Sequence, residues 1–112
     1  MSGSQIPSIH DPVLAEILKR IVFEFTPEKI YLFGSVARSQ ADSDSDYDIL
    51  VVVNRSDEPY YKRAQRAQRA LWGIWRAADV FVLTRKEFEK QKGVIGTLPE
   101  IVMRDGKELY AA

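Results

Sequence analysis

Two closely spaced aspartates are the residues of this sequence that most directly suggest chemistry. Asp46 and Asp48 stand one residue apart at the head of an otherwise apolar run. Side chains at positions i and i+2 of a strand point the same way, about 6.6 Å apart, so the two carboxylates repel each other. A divalent cation removes this repulsion, and Mg²⁺ usually takes a few carboxylate oxygens together with substrate phosphates. The pair therefore predicts a magnesium site.

A glycine–serine pair upstream of the two aspartates predicts a phosphate-binding turn. Gly34 follows a short apolar run, and a glycine there lets the backbone come close to a ligand. If Ser35 opens a helical turn, its hydroxyl and the free N–H groups point at one spot. Arg38, one turn further on, adds a guanidinium that can clamp phosphate oxygens. Taken alone, a Gly-Ser pair at a strand end is more often an ordinary turn.

A third aspartate begins another β-type run. Asp79 precedes the residues Val80 to Leu83. If this strand and strand 46–53 are neighbours that begin at the same level, Asp79 joins the other two aspartates. Three carboxylates facing a phosphate site are the arrangement for two-metal, in-line displacement at phosphorus. Taken alone, Asp79 is more simply a solubilising charge at a strand edge.

The elements that must position these residues alternate between helix and strand. Asp11 and Pro12 predict the start of a helix that runs to Phe25, because they suit the N-cap and first helical positions. Capping patterns at Thr84 and Thr97 predict two short helices. Strands are predicted at 30–33, 46–53, 79–83 and 107–110. The order predicts one layered α/β-type domain over residues 1–112, with residues 1–9 flexible.

A longer second helix is predicted over 60–75. Its apolar positions, expected to face the core, are Ala64, Ala67, Leu71 and Ile74. Its basic residues are Lys62, Arg63, Arg66, Arg69 and Arg76. These predict a solvated face, the alternative being a surface that docks an acidic partner or RNA held by it. Trp72 and Trp75 are expected to pack in the core or between helices, although an exposed tryptophan would be an interface anchor.

Composition excludes several classes of site. The chain has 112 residues, with 16 basic and 16 acidic side chains, so net charge gives no general attraction to nucleic acid or membranes. It has no cysteine and a single histidine, which excludes disulfides, thiolate chemistry and multi-histidine zinc sites. No apolar run suits a membrane span and no signal-peptide pattern begins the chain, so we expect a cytoplasmic protein.

The stretch 34–49 resembles the signature of the DNA polymerase β-like nucleotidyltransferase superfamily. It reads GSVARSQADSDSDYDI, which is Gly-Ser, ten residues, then Asp-x-Asp. The flanking Phe33, Ala37-Arg38 and Ser45 are similar to the minimal nucleotidyltransferase (MNT) branch, and Asp79 matches the family's third acid. The resemblance covers most of 12–110. One departure is Ser39, where the family usually has glycine.

This resemblance implies a palm-type α+β fold, with a small mixed sheet flanked by helices. It implies transfer of a nucleoside monophosphate from an NTP, expected to be ATP, to a hydroxyl, with two Mg²⁺ ions and release of pyrophosphate. Carried over by position, Gly34 and Ser35 would hold the triphosphate with help from Arg38. Asp46 and Asp48 would bind the metals, and Asp79 would bind the second metal or accept the acceptor's proton.

MNT proteins of this size resemble the antitoxin half of toxin–antitoxin pairs. The resemblance implies a HEPN-domain RNase toxin as partner, with AMP attached to a toxin tyrosine. It gives no reason to expect direct binding of nucleic acid or a membrane. The alternative is a decayed nucleotidyltransferase fold that neutralises a toxin by occlusion, and a third option is modification of a small molecule. Homo- and hetero-oligomers both remain open.

Overall fold

The computed structural model describes residues 11–34 and 46–112, which form a mixed four-stranded sheet with helices on both faces. The strands are β1 (Lys29–Phe33), β2 (Tyr47–Val53), β3 (Ala78–Thr84) and β4 (Lys107–Ala111), and the helices are α1 (Pro12–Phe25), α2 (Tyr60–Ala70), α3 (Arg85–Gln91) and α4 (Leu98–Asp105). The sheet order is β3-β2-β1-β4. β2 and β3 are parallel, whereas β1 is antiparallel to both β2 and β4. The predicted α+β fold is thereby confirmed.

The first helix begins and ends where its local sequence predicts. The Asp11 carboxylate accepts hydrogen bonds from the N–H groups of Val13 (2.9 Å) and Leu14 (3.3 Å), with Pro12 in the first turn. The helix ends at Thr26, whose left-handed backbone (φ 41°) precedes a proline. Its buried stripe of Leu14, Ile17, Leu18, Ile21 and Phe25 covers one face of the sheet.

Both faces of the sheet are buried, which explains the nearly unbroken apolar runs of its strands. Ile49 and Val51 of β2 point towards α1 and α2, a side that we call the α1/α2 face. Leu50 and Val52 point the other way, towards α3 and α4. Successive strand residues alternate between faces, so each strand contributes to two cores at once. Asp48 interrupts this burial, because it is only partly buried.

The second helix is shorter than predicted, since it ends at Ala70 instead of Trp75. Gly73 adopts a positive φ of 88°, which a continuing helix does not allow. Arg20 of α1 donates hydrogen bonds to the carbonyls of Ala70 (3.4 Å) and Trp72 (2.7 Å). The chain therefore turns at 71–73 and crosses towards β3.

The predicted basic face of this helix is wrong for two residues, Arg63 and Arg76. Arg76 lies beyond the helix, and its side chain is only 15% exposed and packs on the Tyr47 ring. Arg63 is only 4% exposed. It donates to both carboxylate oxygens of Glu87 (2.9 and 3.1 Å) and to the Val82 carbonyl (2.7 Å). The tryptophans are also placed differently from the expectation. Trp72 and Trp75 are 85% and 81% exposed, so neither packs in the core.

The short helices follow the predicted caps. Thr84 and Glu87 form a reciprocal capping box at the start of α3. Thr97 caps α4, which ends at Gly106 before β4. No helix within the described ranges is long and apolar enough to cross a membrane. The prediction for residues 1–9, and those for Ser35, Arg38 and Ser39, lie outside the described residues.

Candidate active site

Asp48 and Asp79 lie side by side on the parallel strand pair. In the register of β2 and β3, Asp48 is the partner of Asp79. Neighbouring strands lie about 4.8 Å apart, and residues in register on parallel strands point to the same face. The condition set by the sequence is met, because the two strands are neighbours and begin at the same level. Asp46 stands just before β2 and is exposed, as is Asp79.

The electrostatic environment around Asp48, Asp79 and Asp46 disfavours further negative charge. The pKa of Asp48 is raised, first because burial removes water from its carboxylate and then because of the negative charges of Asp79 and Asp46. Both neighbours thus act on the same carboxyl group. A cation bound here would relieve the repulsion among them.

The backbone of Gly34 lies close against this carboxylate. Its φ is +77°, a conformation that L side chains rarely adopt. A Cβ at this position would collide with Oδ2 of Asp48 and would lie 3.2 Å from its Cγ. The preceding residue, Phe33, is the antiparallel partner of Asp48. Glycine is therefore required both by the backbone turn and by the space beside Asp48.

The start of β2 is anchored on the opposite face of the sheet. The Tyr47 hydroxyl donates to the Asp11 carboxylate, and the guanidinium of Arg76 lies 4.3 Å from the centre of the Tyr47 ring. The Tyr47 N–H donates to the Ala77 carbonyl at 3.1 Å. These contacts fix the residue between Asp46 and Asp48, and so position both acids.

Sequence reasoning missed these supporting roles of Asp11, Arg76 and Tyr47. The aromatic residue between two acids was the available signal. It also missed an aromatic contact near the acids, where the Phe33 and Phe81 rings lie 6.0 Å apart at 45°. Both rings lie on the side of the sheet that carries Asp48 and Asp79, since Phe33 is the strand partner of Asp48 and Phe81 lies two residues after Asp79 on β3.

The donor chemistry fits Mg²⁺, which prefers oxygen ligands. Within residues 11–34 and 46–112, no group of three or more His, Cys, Asp or Glu side chains is arranged to hold a metal ion by itself. Mg²⁺ commonly binds one or two carboxylates and takes its remaining ligands from substrate phosphates and water. Asp48, its register neighbour Asp79 and the nearby Asp46 therefore suit a metal that arrives with a nucleotide.

Comparison with known proteins agrees with this fold. The family model described as "Nucleotidyltransferase domain" matches residues 14–108, which is most of the chain. The chain therefore belongs to the nucleotidyltransferase domain family. None of the curated proteins matches it significantly in sequence.

Solved structures give the same classification. A candidate nucleotidyltransferase from Sulfolobus solfataricus is 25% identical with a TM-score of 0.62, and the match covers 88% of this chain and 78% of that one. A toxin–antitoxin structure with AMP-PNP is 25% identical with a TM-score of 0.55, covering 88% and 73%. A mutant of the toxin–antitoxin MntA-HpeT is 21% identical with a TM-score of 0.62, covering 88% and 72%, and shows the shared fold.

Proposed function

We propose that this protein transfers AMP from ATP to a hydroxyl group of a protein partner and thereby acts as an antitoxin. The observation that carries the proposal is the in-register pair of Asp48 and Asp79 beside Gly34, in a chain that belongs to the nucleotidyltransferase domain family. Paired carboxylates give the fold no stability of their own, because the pKa of Asp48 is raised by burial and by like charge. A bound cation would offset the repulsion between the two carboxylates, so we assign the pair to ligand binding.

Each residue of the site has a role in this reaction. The acceptor oxygen attacks the α-phosphorus of ATP, the bond to the oxygen that bridges the α- and β-phosphates breaks, and pyrophosphate leaves. The Asp79 carboxylate accepts the hydroxyl proton or shares in binding the second metal ion. Asp46 and Asp48 would hold Mg²⁺, which when bound neutralises charge on the phosphates. Gly34, Ser35 and Arg38 would hold the triphosphate.

The nucleotide and the partner are supported by different observations. A toxin–antitoxin structure that contains AMP-PNP is similar to this chain at 25% identity, which favours ATP and a toxin partner. The resemblance of stretch 34–49 to the MNT branch favours a HEPN-domain toxin with a tyrosine acceptor.

The test is transfer of labelled AMP from ATP and Mg²⁺ to a purified candidate toxin, taken as the product of the gene that adjoins this protein's own. Asp48→Asn should lower the transfer rate at least about 100-fold, which corresponds to about 2.7 kcal/mol in the barrier. The matched control is Asp57→Asn, since Asp57 is an exposed acid in the turn after β2. Transfer that survives in Asp48→Asn at the wild-type rate would remove this residue from the mechanism.

Substitutions of these aspartates also distinguish toxin neutralisation by AMP transfer from neutralisation by occlusion. If the Asp46→Asn/Asp48→Asn double variant neutralises the toxin as well as the wild type does, binding alone accounts for the antitoxin effect. If it binds the toxin but no longer neutralises it, the transfer reaction is the cause. Calorimetry with ATP and Mg²⁺ gives an independent reading, because a decayed site would not bind the nucleotide.

A further inference from the structure

Three large aromatic side chains are exposed on the α1/α2 face. They are Phe23, Trp72 and Trp75, with exposures of 87%, 85% and 81%. Arg20 lies among them and lines two adjoining grooves, one bordered by Phe23 and the other by Trp75. We call these three side chains the aromatic strip. Soluble proteins rarely leave such a group of side chains exposed unless it meets another molecule.

The loop that carries the tryptophans is held in place. The Arg20 guanidinium donates to the Trp72 carbonyl at 2.7 Å and is itself paired with Glu16 at 2.9 Å. The Ile74 N–H donates to the Leu71 carbonyl at 3.1 Å. The backbone is therefore fixed while the indole rings stay in solvent. An ordered tryptophan of this kind matches the residues that contribute most binding energy in protein interfaces.

The charges around the strip favour an acidic partner. Four acids of this side form ion pairs with three arginines: Glu16 with Arg20, Asp11 with Arg76, and both Glu24 and Glu58 with Arg66. Lys19, Lys62 and Arg69 are exposed and form no ion pair within the described part of the chain. A two-fold dimer through the strip would place like charges on the same patch of each copy. Charge complementarity thus favours a different protein that presents carboxylates.

One end of the strip lies near the end of the sheet that carries the acids, but on the opposite face of the sheet from Asp48 and Asp79. Trp75 lies four residues before Asp79, so their Cα atoms are at most about 14 Å apart. The loop ends at Ala77, whose carbonyl accepts the hydrogen bond from Tyr47 between the two other aspartates. A protein bound at the Trp75 end of the strip would reach Asp48 and Asp79 around this end of the sheet, because the two carboxylates face its other side.

We propose that the aromatic strip is the docking surface for the protein that supplies the acceptor hydroxyl, which inserts an apolar ridge flanked by carboxylates. This inference rests on the proposed function, because it assumes that the acceptor is a protein. It adds the face and the chemistry by which that protein is recognised: indole and phenyl rings for an apolar ridge, with Lys19 and Arg69 for its acidic border.

The experiment measures the affinity of the purified neighbouring-gene product for variants of the full chain by calorimetry. Trp75→Ala and Trp72→Ala should each raise Kd at least about 30-fold, as expected for a central interface residue. The matched control is Ile95→Ala, because Ile95 is 87% exposed and lies in the loop between α3 and α4. This control should change Kd less than twofold. Lys19→Glu should weaken binding about tenfold and make it less sensitive to salt.

Several results would overturn the docking surface. The first is a Kd that both tryptophan substitutions leave unchanged, or wild-type protein that does not bind the neighbouring-gene product. A second is sedimentation that shows a dimer lost in Trp75→Ala, since the occupant is then another copy. A third is a free protein whose tryptophans become more accessible to quencher when residues 1–10 are removed, since the occupant is then this segment.

Failure of the proposed function would be recognised separately. ATP–Mg²⁺ binding is measured on the same samples, and the tryptophan variants should keep the wild-type affinity for the nucleotide. Wild-type protein that binds its partner through the tryptophans but does not bind ATP would refute nucleotidyl transfer and leave the docking surface in place. Protein that binds ATP but shows no dependence on the tryptophans would do the reverse.

Discussion

At the scale of single residues, Gly34 is the position where backbone conformation and site geometry depend most on each other. Its positive φ and the carboxylate of Asp48 both exclude a side chain. Two other glycines allow the two effects to be separated. Gly96 has a φ of +91° with open space around it, and Gly93 has open space without a positive φ.

We predict a graded series of stabilities for alanine at these glycines. Gly93→Ala should be neutral or slightly stabilising, whereas Gly96→Ala should lower the free energy of unfolding by about 1–2 kcal/mol through its left-handed backbone. Gly34→Ala should cost more than Gly96→Ala, because it adds the collision with Asp48. Denaturant unfolding checks the order. Equal costs at 34 and 96 would mean that the carboxylate does not lie against the backbone.

Asp48 should lower stability in the absence of ligand. Because its pKa is raised, the folded state binds more protons than the unfolded state, and stability falls as pH rises from the ordinary aspartate range through the raised pKa. Asp48→Asn should therefore melt a few degrees higher than wild type at pH 7 in EDTA. The difference should shrink at about pH 2.5, below the ordinary aspartate pKa, where the carboxyl group is protonated in both states. An asparagine variant that is less stable at both pH values would contradict this account.

At the scale of elements, local signals determined some boundaries and tertiary contacts determined others. Helix α1 was predictable because Asp11-Pro12 and Thr26-Pro27 act within one turn of its ends. The end of α2 was missed although Gly73, whose positive φ ends the helix, was an available local signal; the hydrogen bonds from Arg20 to the carbonyls of Ala70 and Trp72 were not visible in the sequence. Helical periodicity continued past Gly73 and gave the wrong end.

The burial of Arg63 shows a second limit of periodicity. A cation on a polar helix face is expected in solvent, yet its partner, Glu87, comes from the capping box of α3. No pattern within α2 indicates an acid so far along the chain. The ion pair links α2 to the start of α3, beside the end of β3. Its contribution to the stability of the fold therefore comes from a contact between elements and not from α2 alone.

We predict that Arg63→Ala lowers the free energy of unfolding by about 3 kcal/mol, the low end for a broken buried pair, since Glu87 is 39% exposed. The control Arg69→Ala removes an exposed arginine of the same helix and should change it by less than about 0.5 kcal/mol. Thermal and urea unfolding at pH 7 measure both. Equal losses in the free energy of unfolding for the two variants would mean that Arg63 stabilises the protein no more than an exposed arginine does.

The same pair predicts a pH dependence. Hydrogen bonds from Arg63 lower the pKa of Glu87, so the stability it adds is complete above the ordinary glutamate range and is lost as pH falls through the lowered pKa. This acid-induced loss should be smaller in Arg63→Ala. Unfolding measured between pH 6 and about pH 3 tests it, and parallel curves for the two proteins would contradict it.

At the scale of the whole molecule, the sequence predicted which acids to examine but not how the chain supports them. Asp46, Asp48 and Asp79 were recognisable because acids are unfavourable at the head of apolar strands. Their neighbour relation depended on strand order, which the sequence left as a condition and the register of β2 and β3 meets. The exposure of Trp72 and Trp75 was not predictable from burial preferences, which describe a chain without its partners.

Because β2 and β3 must pair before Asp48 and Asp79 become neighbours, only the completely folded chain has the proposed ligand-binding site. Asp48 and Asp79 become neighbours only after α2 and its following loop have crossed over the sheet. A chain that has formed only the hairpin of β1 and β2 holds one of these two carboxylates without its neighbour, and has little reason to bind a metal–nucleotide complex. Thermodynamic linkage then assigns the whole free energy of binding to the native state, about 2.7 kcal/mol at a ligand concentration of 100 Kd. If ATP and Mg²⁺ are the ligands, as we propose, they would protect the finished molecule selectively from proteolysis.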